Sequence, residues 1–176
     1  YSKLILATGT RPRRLGLSDL EPKDVFYIRK KEDVDRLQLM QRRQQSALFV
    51  GGGFIGLEAA ASAKKLGLKV TVIEAQDRLL KRVTSEPVSE FFLDLHRQSG
   101  VDVLLACELH TINRLSHGYS ATTKDGRQSN CDFMVVGVGV VPNQELAEQS
   151  GLQCDNGILT NEFAETDDPD VYAIGD

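Results

Sequence analysis

Gly51, Gly53 and Gly56 stand in a G-x-G-x-x-G spacing, directly after the apolar run Leu48-Phe49-Val50 and directly before an Ala/Lys/Leu run that favours helix. That spacing suits two linked phosphates. Gly51 lets the chain turn sharply off a strand, Gly53 lets the backbone approach a pyrophosphate, and Gly56 lets the helix sit close on the sheet. A helix starting near Phe54 would point free N–H groups, those of Gly53, Phe54 and Ile55, and the positive end of its dipole at the phosphates. Glu74 closes the β-branched run Lys69-Val70-Thr71-Val72-Ile73, 23 residues after Gly51. A carboxylate there can accept hydrogen bonds from both hydroxyls of an adenine ribose and repels a 2′-phosphate, so NADH is favoured over NADPH. The plainer alternative for Glu74 is an exposed acid at a strand end.

These residues need a strand–helix–strand unit to position them. The pattern predicts one between Ala47 and Glu74, with the helix over about 54–66 and Gly67 as its stop. Lys3 to Ala7 reads as a buried strand, residues 15–27 as an irregular connection with Pro22, and Lys30 to Gln44 as an amphipathic helix with Val34, Leu37 and Met40 inward. A loop from Ala75 to Thr84 leads to a second helix, started by Ser85-Glu86-Pro87 and ended by Gly100, then a short strand over 101–105. From Glu108 to Asn130, alternating runs broken by Ser116-His117-Gly118 and Asp125-Gly126 read as antiparallel hairpins. Cys131 to Gly137 returns as an apolar strand, and 145–150 as a short helix. The expected fold class is α/β: a Rossmann-like parallel sheet with a βαβ dinucleotide unit and an antiparallel β-meander crossover. The domain reading is 1–46 as crossover strand and connecting segment, 47–150 as the NADH-binding domain, and 151–176 as a return segment.

Composition narrows the partners. The chain has 176 residues, 41% of them apolar, enough for one sizeable α/β domain, and no apolar run long enough to span a membrane. A formal net charge of −4 argues against nucleic acid. Cys107, Cys131 and Cys154 form no Cys-x-x-Cys pair, and His96, His110 and His117 have no metal-ligand spacing, so neither a redox dithiol nor a metal site is expected. The thiols are expected as small side chains in or near the core, the histidines at the surface or in strands, and the compartment as cytoplasmic.

Three further motifs surround the dinucleotide unit: Leu4-Ile5-Leu6-Ala7-Thr8-Gly9, Val135-Val136-Gly137-Val138-Gly139-Val140-Val141-Pro142-Asn143, and Thr166-Asp167-Asp168-Pro169-Asp170-Val171-Tyr172-Ala173-Ile174-Gly175-Asp176. As a set they resemble the FAD-dependent pyridine nucleotide-disulfide oxidoreductases over essentially the whole chain. Tyr27-Ile28-Arg29 with Glu32-Asp33, Gly100-Val101-Asp102, and Gly151 to Ile158 make it most similar to the NADH:ferredoxin, rubredoxin or putidaredoxin reductases of oxygenase systems. NADH oxidases, NADH peroxidase, coenzyme A-disulfide reductases and apoptosis-inducing-factor-like modules share the larger motifs and stay open as alternatives. Family members also carry an FAD-binding G-x-G-x-x-G and a C-terminal interface domain. Neither motif is found in these residues, so the chain looks like the central NADH domain of a larger enzyme, expected to bind NAD(H) but not FAD by itself.

The resemblance implies roles. Glu58 would hold the nicotinamide carboxamide with Ile55 near the ring, or serve only as a first-turn acid on the helix dipole. Arg82 would contact phosphate or ribose, with Lys81 and Arg78 as competitors. Val138 and Gly139 would line the nicotinamide side, unless Gly139 is a packing glycine. Thr8, Gly9 and Asp176 would belong to FAD in the parent enzyme. Arg11, Arg13, Arg14, Lys30 and Lys31 would meet an acidic ferredoxin or form a solvated basic surface. A homodimer is left open. No acid, base or nucleophile is nominated, since hydride passes directly between the two cofactors.

Overall fold

The computed structural model describes residues 2–16, 21–42 and 44–176. Its contacts group the chain into two units, Tyr1–Arg13 with Val140–Asp176, and Arg14–Gly139. The smaller unit opens with strands β1 (Leu4–Leu6) and β2 (Thr10–Pro12). Of the run expected as a buried strand, only Leu6 is buried in β1, and Ile5 is 59% exposed.

The larger unit follows the pattern of the dinucleotide motif. A 3-10 turn at Pro22–Asp24 leads into β3 (Val25–Phe26), then α1 (Lys31–Gln41), β4 (Ser46–Val50), α2 (Phe54–Lys65), β5 (Lys69–Ile73), α3 (Glu86–Gln98) and β6 (Asp102–Leu104). An antiparallel meander, β7 (Leu109–Arg114), β8 (Tyr119–Thr123) and β9 (Gln128–Cys131), crosses over to β10 (Phe133–Val136). The main sheet has the order β3-β10-β4-β5-β6, and every pair in it is parallel. This is the expected Rossmann-like α/β sheet with its meander crossover.

Side-chain alternation along β4 builds three layers. Ala47 and Phe49 pack with Leu57, Ala60 and Ala63 of α2 and Leu37 of α1. Leu48 and Val50 face the other way, onto Ile112, Tyr119 and Ala121 of the meander. Both faces of the parallel sheet are therefore covered, which explains why its strands read as continuous apolar runs. Leucine and alanine at 57, 60 and 63 lie on one face of α2, and the two alanines let it approach the sheet closely.

Three local expectations change. The segment read as irregular contains β3, an edge strand parallel to β10, while residues 17–20 lie outside the described residues. The strand read over 131–137 is two: Cys131 ends β9, and Asp132 breaks the run because its carboxylate accepts from the backbone N–H of Gln45 and Ser46 and from the Ser46 hydroxyl at 2.8–2.9 Å. His96 sits buried on the inner face of α3, where desolvation holds its pKa below the ordinary value. The smaller unit is completed by β11 (Val140–Pro142), antiparallel to β2, by α4 (Glu145–Gln149), and by β12 (Val171–Ala173), parallel to β1.

Candidate functional site

In the main sheet the chain runs outward from β4 to β5 and β6 on one side, while β10 and β3 lie on the other. The connections thus diverge at the carboxyl ends of β4 and β10, the position where open α/β sheets form a ligand crevice. The glycine turn 51–53 follows β4 there, and Gly137-Val138-Gly139 follows β10.

Backbone geometry explains the glycines. Gly51 has φ +105°, and a Cβ on it would lie 2.3 Å from the Gly137 carbonyl oxygen. A Cβ on Gly56 would lie 2.4 Å from the Gly51 carbonyl oxygen, so the third glycine lets the first turn of α2 close on the loop itself. Gly53 is the N-cap of α2, and a Cβ there would meet open space. Among the described residues the Gly53 N–H has no backbone acceptor, as is general for the first donors of a helix. Phe54 and Ile55 stand about half exposed beside it.

Glu74 is half-buried and turned back onto this loop. Its Oε2 accepts from Gly52 N–H at 2.5 Å and its Oε1 from Gln76 N–H at 2.7 Å. Each oxygen keeps a further lone pair, which leaves a fixed carboxylate with two acceptor positions for a diol. Gly52 is a residue the motif spacing leaves unspecified, yet a Cβ on it would lie 2.6 Å from Leu79 Cδ2 and 3.0 Å from Glu74 Oε2. Three consecutive glycines were the only signal for it in the sequence.

The basic loop after β5 separates into distinct roles. The Arg78 guanidinium is spent inside it, donating to the carbonyls of Thr84 and Lys81 and to the Ser89 hydroxyl. Lys81 pairs with Asp77 at 2.9 Å. Arg82 is exposed and, among the described residues, has no hydrogen-bond or ion-pair partner, which leaves it as the cation available to a ligand. Glu58, exposed one turn along α2 from Ile55, is likewise unpaired among the described residues. Val138 is half-buried. Gly139 is exposed with φ +99°, and a Cβ on it would meet open space, so its backbone conformation rather than packing calls for glycine.

In the smaller unit, Thr8, Gly9 and Asp176 line one cleft of ≈ 260 Å³ together with Asn143, Asn156 and Gly157. The Asn143 side chain donates to the Thr8 carbonyl at 2.9 Å, and its backbone N–H to the Gly9 carbonyl at 2.9 Å. Arg11 is tied to Asn143 at 2.7 Å and to Glu145 at 2.5 Å, and its side chain stays about half exposed. Lys31 pairs with Asp35, and Arg14 stacks over the Tyr27 ring. Among the described residues no helix is long and apolar enough to cross a membrane.

Comparison with known proteins places the family and agrees with the fold. The family model described as pyridine nucleotide-disulphide oxidoreductase matches residues 1–176. Rhodocoxin reductase of Rhodococcus erythropolis is 42% identical over the whole chain, which covers 42% of that protein. Putidaredoxin reductase CamA of Pseudomonas putida is 37% identical, with the whole chain covering 43% of it. The crystal structure of the ferredoxin reductase for the CYP199A2 system from Rhodopseudomonas palustris superposes with a TM-score of 0.95 at 36% identity, over all of this chain and 44% of that one. The chain thus spans less than half the length of the relatives it matches.

Proposed function

The chain belongs to the pyridine nucleotide-disulphide oxidoreductase family, and on that premise we propose that it is the NADH-binding part of a flavin-dependent ferredoxin reductase. The observation that carries this reading is the Glu74 carboxylate, anchored by two backbone N–H groups at the rim of a glycine turn in which Gly53 N–H has no backbone acceptor among the described residues. The N–H groups of Gly53, Phe54 and Ile55 hold the pyrophosphate, and Glu74 holds the adenine ribose diol. Arg82 adds a guanidinium fork to phosphate or ribose. Glu58 orients the nicotinamide carboxamide, with Ile55, Val138 and Gly139 around the ring. Residues 47–150 make up the NADH-binding domain in this reading, and 47–139 of them fall in the larger compact unit.

FAD is the cofactor the family implies. The residues present fit part of it: Thr8, Gly9 and the Asp176 carboxylate converge on one cleft, whose ≈ 260 Å³ is below the ~300–1,000 Å³ of sites that enclose a whole ligand. Asp176 would accept from a ribityl hydroxyl there, and Thr8 and Gly9 would border the ring system. When bound, FAD takes up a hydride and releases electrons singly. The work of this chain is to position the dinucleotide and to discriminate against the 2′-phosphate.

The electron acceptor in this proposal is a ferredoxin- or rubredoxin-like protein, the classes that names of relatives carry. The free thiols Cys107, Cys131 and Cys154 support a reducing, cytoplasmic setting. Titration calorimetry of the chain with NADH, NADPH and FAD tests the reading. NADH should bind, NADPH more weakly, and FAD little or not at all. Equal affinity for the two nicotinamide dinucleotides would overturn it.

A further inference from the structure

The segment 77–84 is wound around the Arg78 guanidinium. One of its terminal nitrogens donates to the Thr84 carbonyl at 3.0 Å and to the Ser89 hydroxyl at 2.7 Å, and the other to the Lys81 carbonyl at 3.1 Å. Ser89 is buried on α3, and its hydroxyl donates a hydrogen bond to the Leu79 carbonyl at 2.6 Å. The Arg78 fork thus bridges the start of the loop, its end and the helix beneath it. Inside this frame Leu80 is buried and holds φ +54°, a left-handed conformation that residues with a side chain rarely adopt. In that conformation the Leu80 N–H donates to the Gly52 carbonyl at 3.0 Å.

That last bond acts on a defined peptide unit. The Gly52 carbonyl and the Gly53 N–H belong to the same plane, and the described chain has no cis peptide. In a trans peptide the C=O and N–H point in opposite directions. Pinning the Gly52 oxygen toward Leu80 therefore aims the Gly53 N–H away from the loop. The neighbouring unit, between Gly51 and Gly52, is held separately by Glu74 through the Gly52 N–H. Two independent clamps thus orient the turn: Glu74 on one plane, the Arg78-braced loop on the next.

We propose that Arg78 is a positioning residue for pyrophosphate recognition, acting through Leu80 to aim the Gly53 amide at the phosphates. The proposal rests on the reading of the glycine turn as the NADH pyrophosphate site. It differs from that reading in assigning a residue that touches no ligand and leaves the ribose clamp alone.

The test is titration of the full chain and its Arg78→Ala and Arg78→Lys variants with NADH, NADPH and ADP-ribose, below each variant's melting temperature, with the Gly53 amide followed by 15N NMR. Misaiming one hydrogen bond to a charged phosphate should raise all three dissociation constants by roughly tenfold in Arg78→Ala. Arg78→Lys, with one ammonium in place of a fork, should show a smaller loss in the same sense. The NADH:NADPH ratio should stay constant, and the Gly53 amide shift on adding ADP-ribose should shrink. Dissociation constants within twofold of the unaltered chain for both variants would overturn the proposal. So would a collapse of the NADH:NADPH ratio, since Arg78 would then be acting through Glu74. If the unaltered chain bound neither NADH nor ADP-ribose, the dinucleotide reading would itself fall and the proposal with it.

Discussion

Glu74→Gln is the substitution that isolates nucleotide discrimination, because it changes charge while nearly keeping shape. Glu74 accepts two backbone hydrogen bonds, from Gly52 and Gln76. A glutamine has one acceptor oxygen where glutamate has two, so the ribose hydroxyl that both nucleotides carry loses a charged acceptor, at a cost of about 1–3 kcal/mol in the binding of each. That cost cancels from their ratio. The charge does not cancel. At ~4 Å a unit charge on a 2′-phosphate is repelled by about 1 kcal/mol in water and by about 4 kcal/mol at an effective dielectric near 20. Glu74 is half-buried, so an intermediate value of about 2 kcal/mol applies, roughly thirtyfold in affinity. Calorimetric titration with NADH and NADPH should therefore show NADH weakened by about tenfold or more and the preference for it narrowed by roughly thirtyfold. The narrowing should shrink in high salt, which screens a partly exposed charge pair. A preference that stays within about threefold of the unaltered value would refute both the position of the ribose and the electrostatic reasoning.

Three further outcomes are expected. Gly51→Ala places a methyl group 2.3 Å from the Gly137 carbonyl oxygen at φ +105°; thermal denaturation should show a melting temperature lower by on the order of 5 °C, with NADH binding lost. Burial pushes the Cys131 thiol from its ordinary 9.0 up to about 12, so in the native chain it should resist alkylation at pH 8 while the unfolded chain reacts, as read by mass spectrometry. The native state holds that proton where the unfolded state releases it, so Cys131→Ala should also flatten the loss of stability as pH rises above 9.0 toward about 12. His96 is held neutral by burial, with its pKa below the ordinary 6.5; the unfolded state binds the extra proton first, so stability falls as pH drops below that value, and His96→Gln should make the acid limb of a denaturation series shallower.

The elements that can be read locally were legible, and those set by distant partners were not. The glycine turn, α2 and β5 announce themselves through spacing, periodicity and a stop at Gly67, all within one stretch of chain. The edge strand β3 has two residues, too few to alternate, and exists because β10 pairs with it from over a hundred residues away. The apolar run in β1 reads as buried, yet Leu4 and Ile5 are exposed, since hydrophobicity marks a need for cover and not which atoms supply it. His96 reads as a surface or strand residue, although Ser89, Phe92, Leu93 and His96 share one face of α3 at helical spacing, a periodicity that points it inward. At the site, Glu74 and the spaced glycines were legible because a motif requires them. Gly52, Arg78 and Leu80 were not, because their purpose lies in a loop folding back onto the turn.

The most direct measurement is a crystal structure of the chain with NADH. Pyrophosphate oxygens within about 3.2 Å of the Gly53 N–H and both adenine-ribose hydroxyls on the Glu74 carboxylate are the expected result. Density for the dinucleotide elsewhere on the sheet, or a ribose turned away from Glu74, would contradict it.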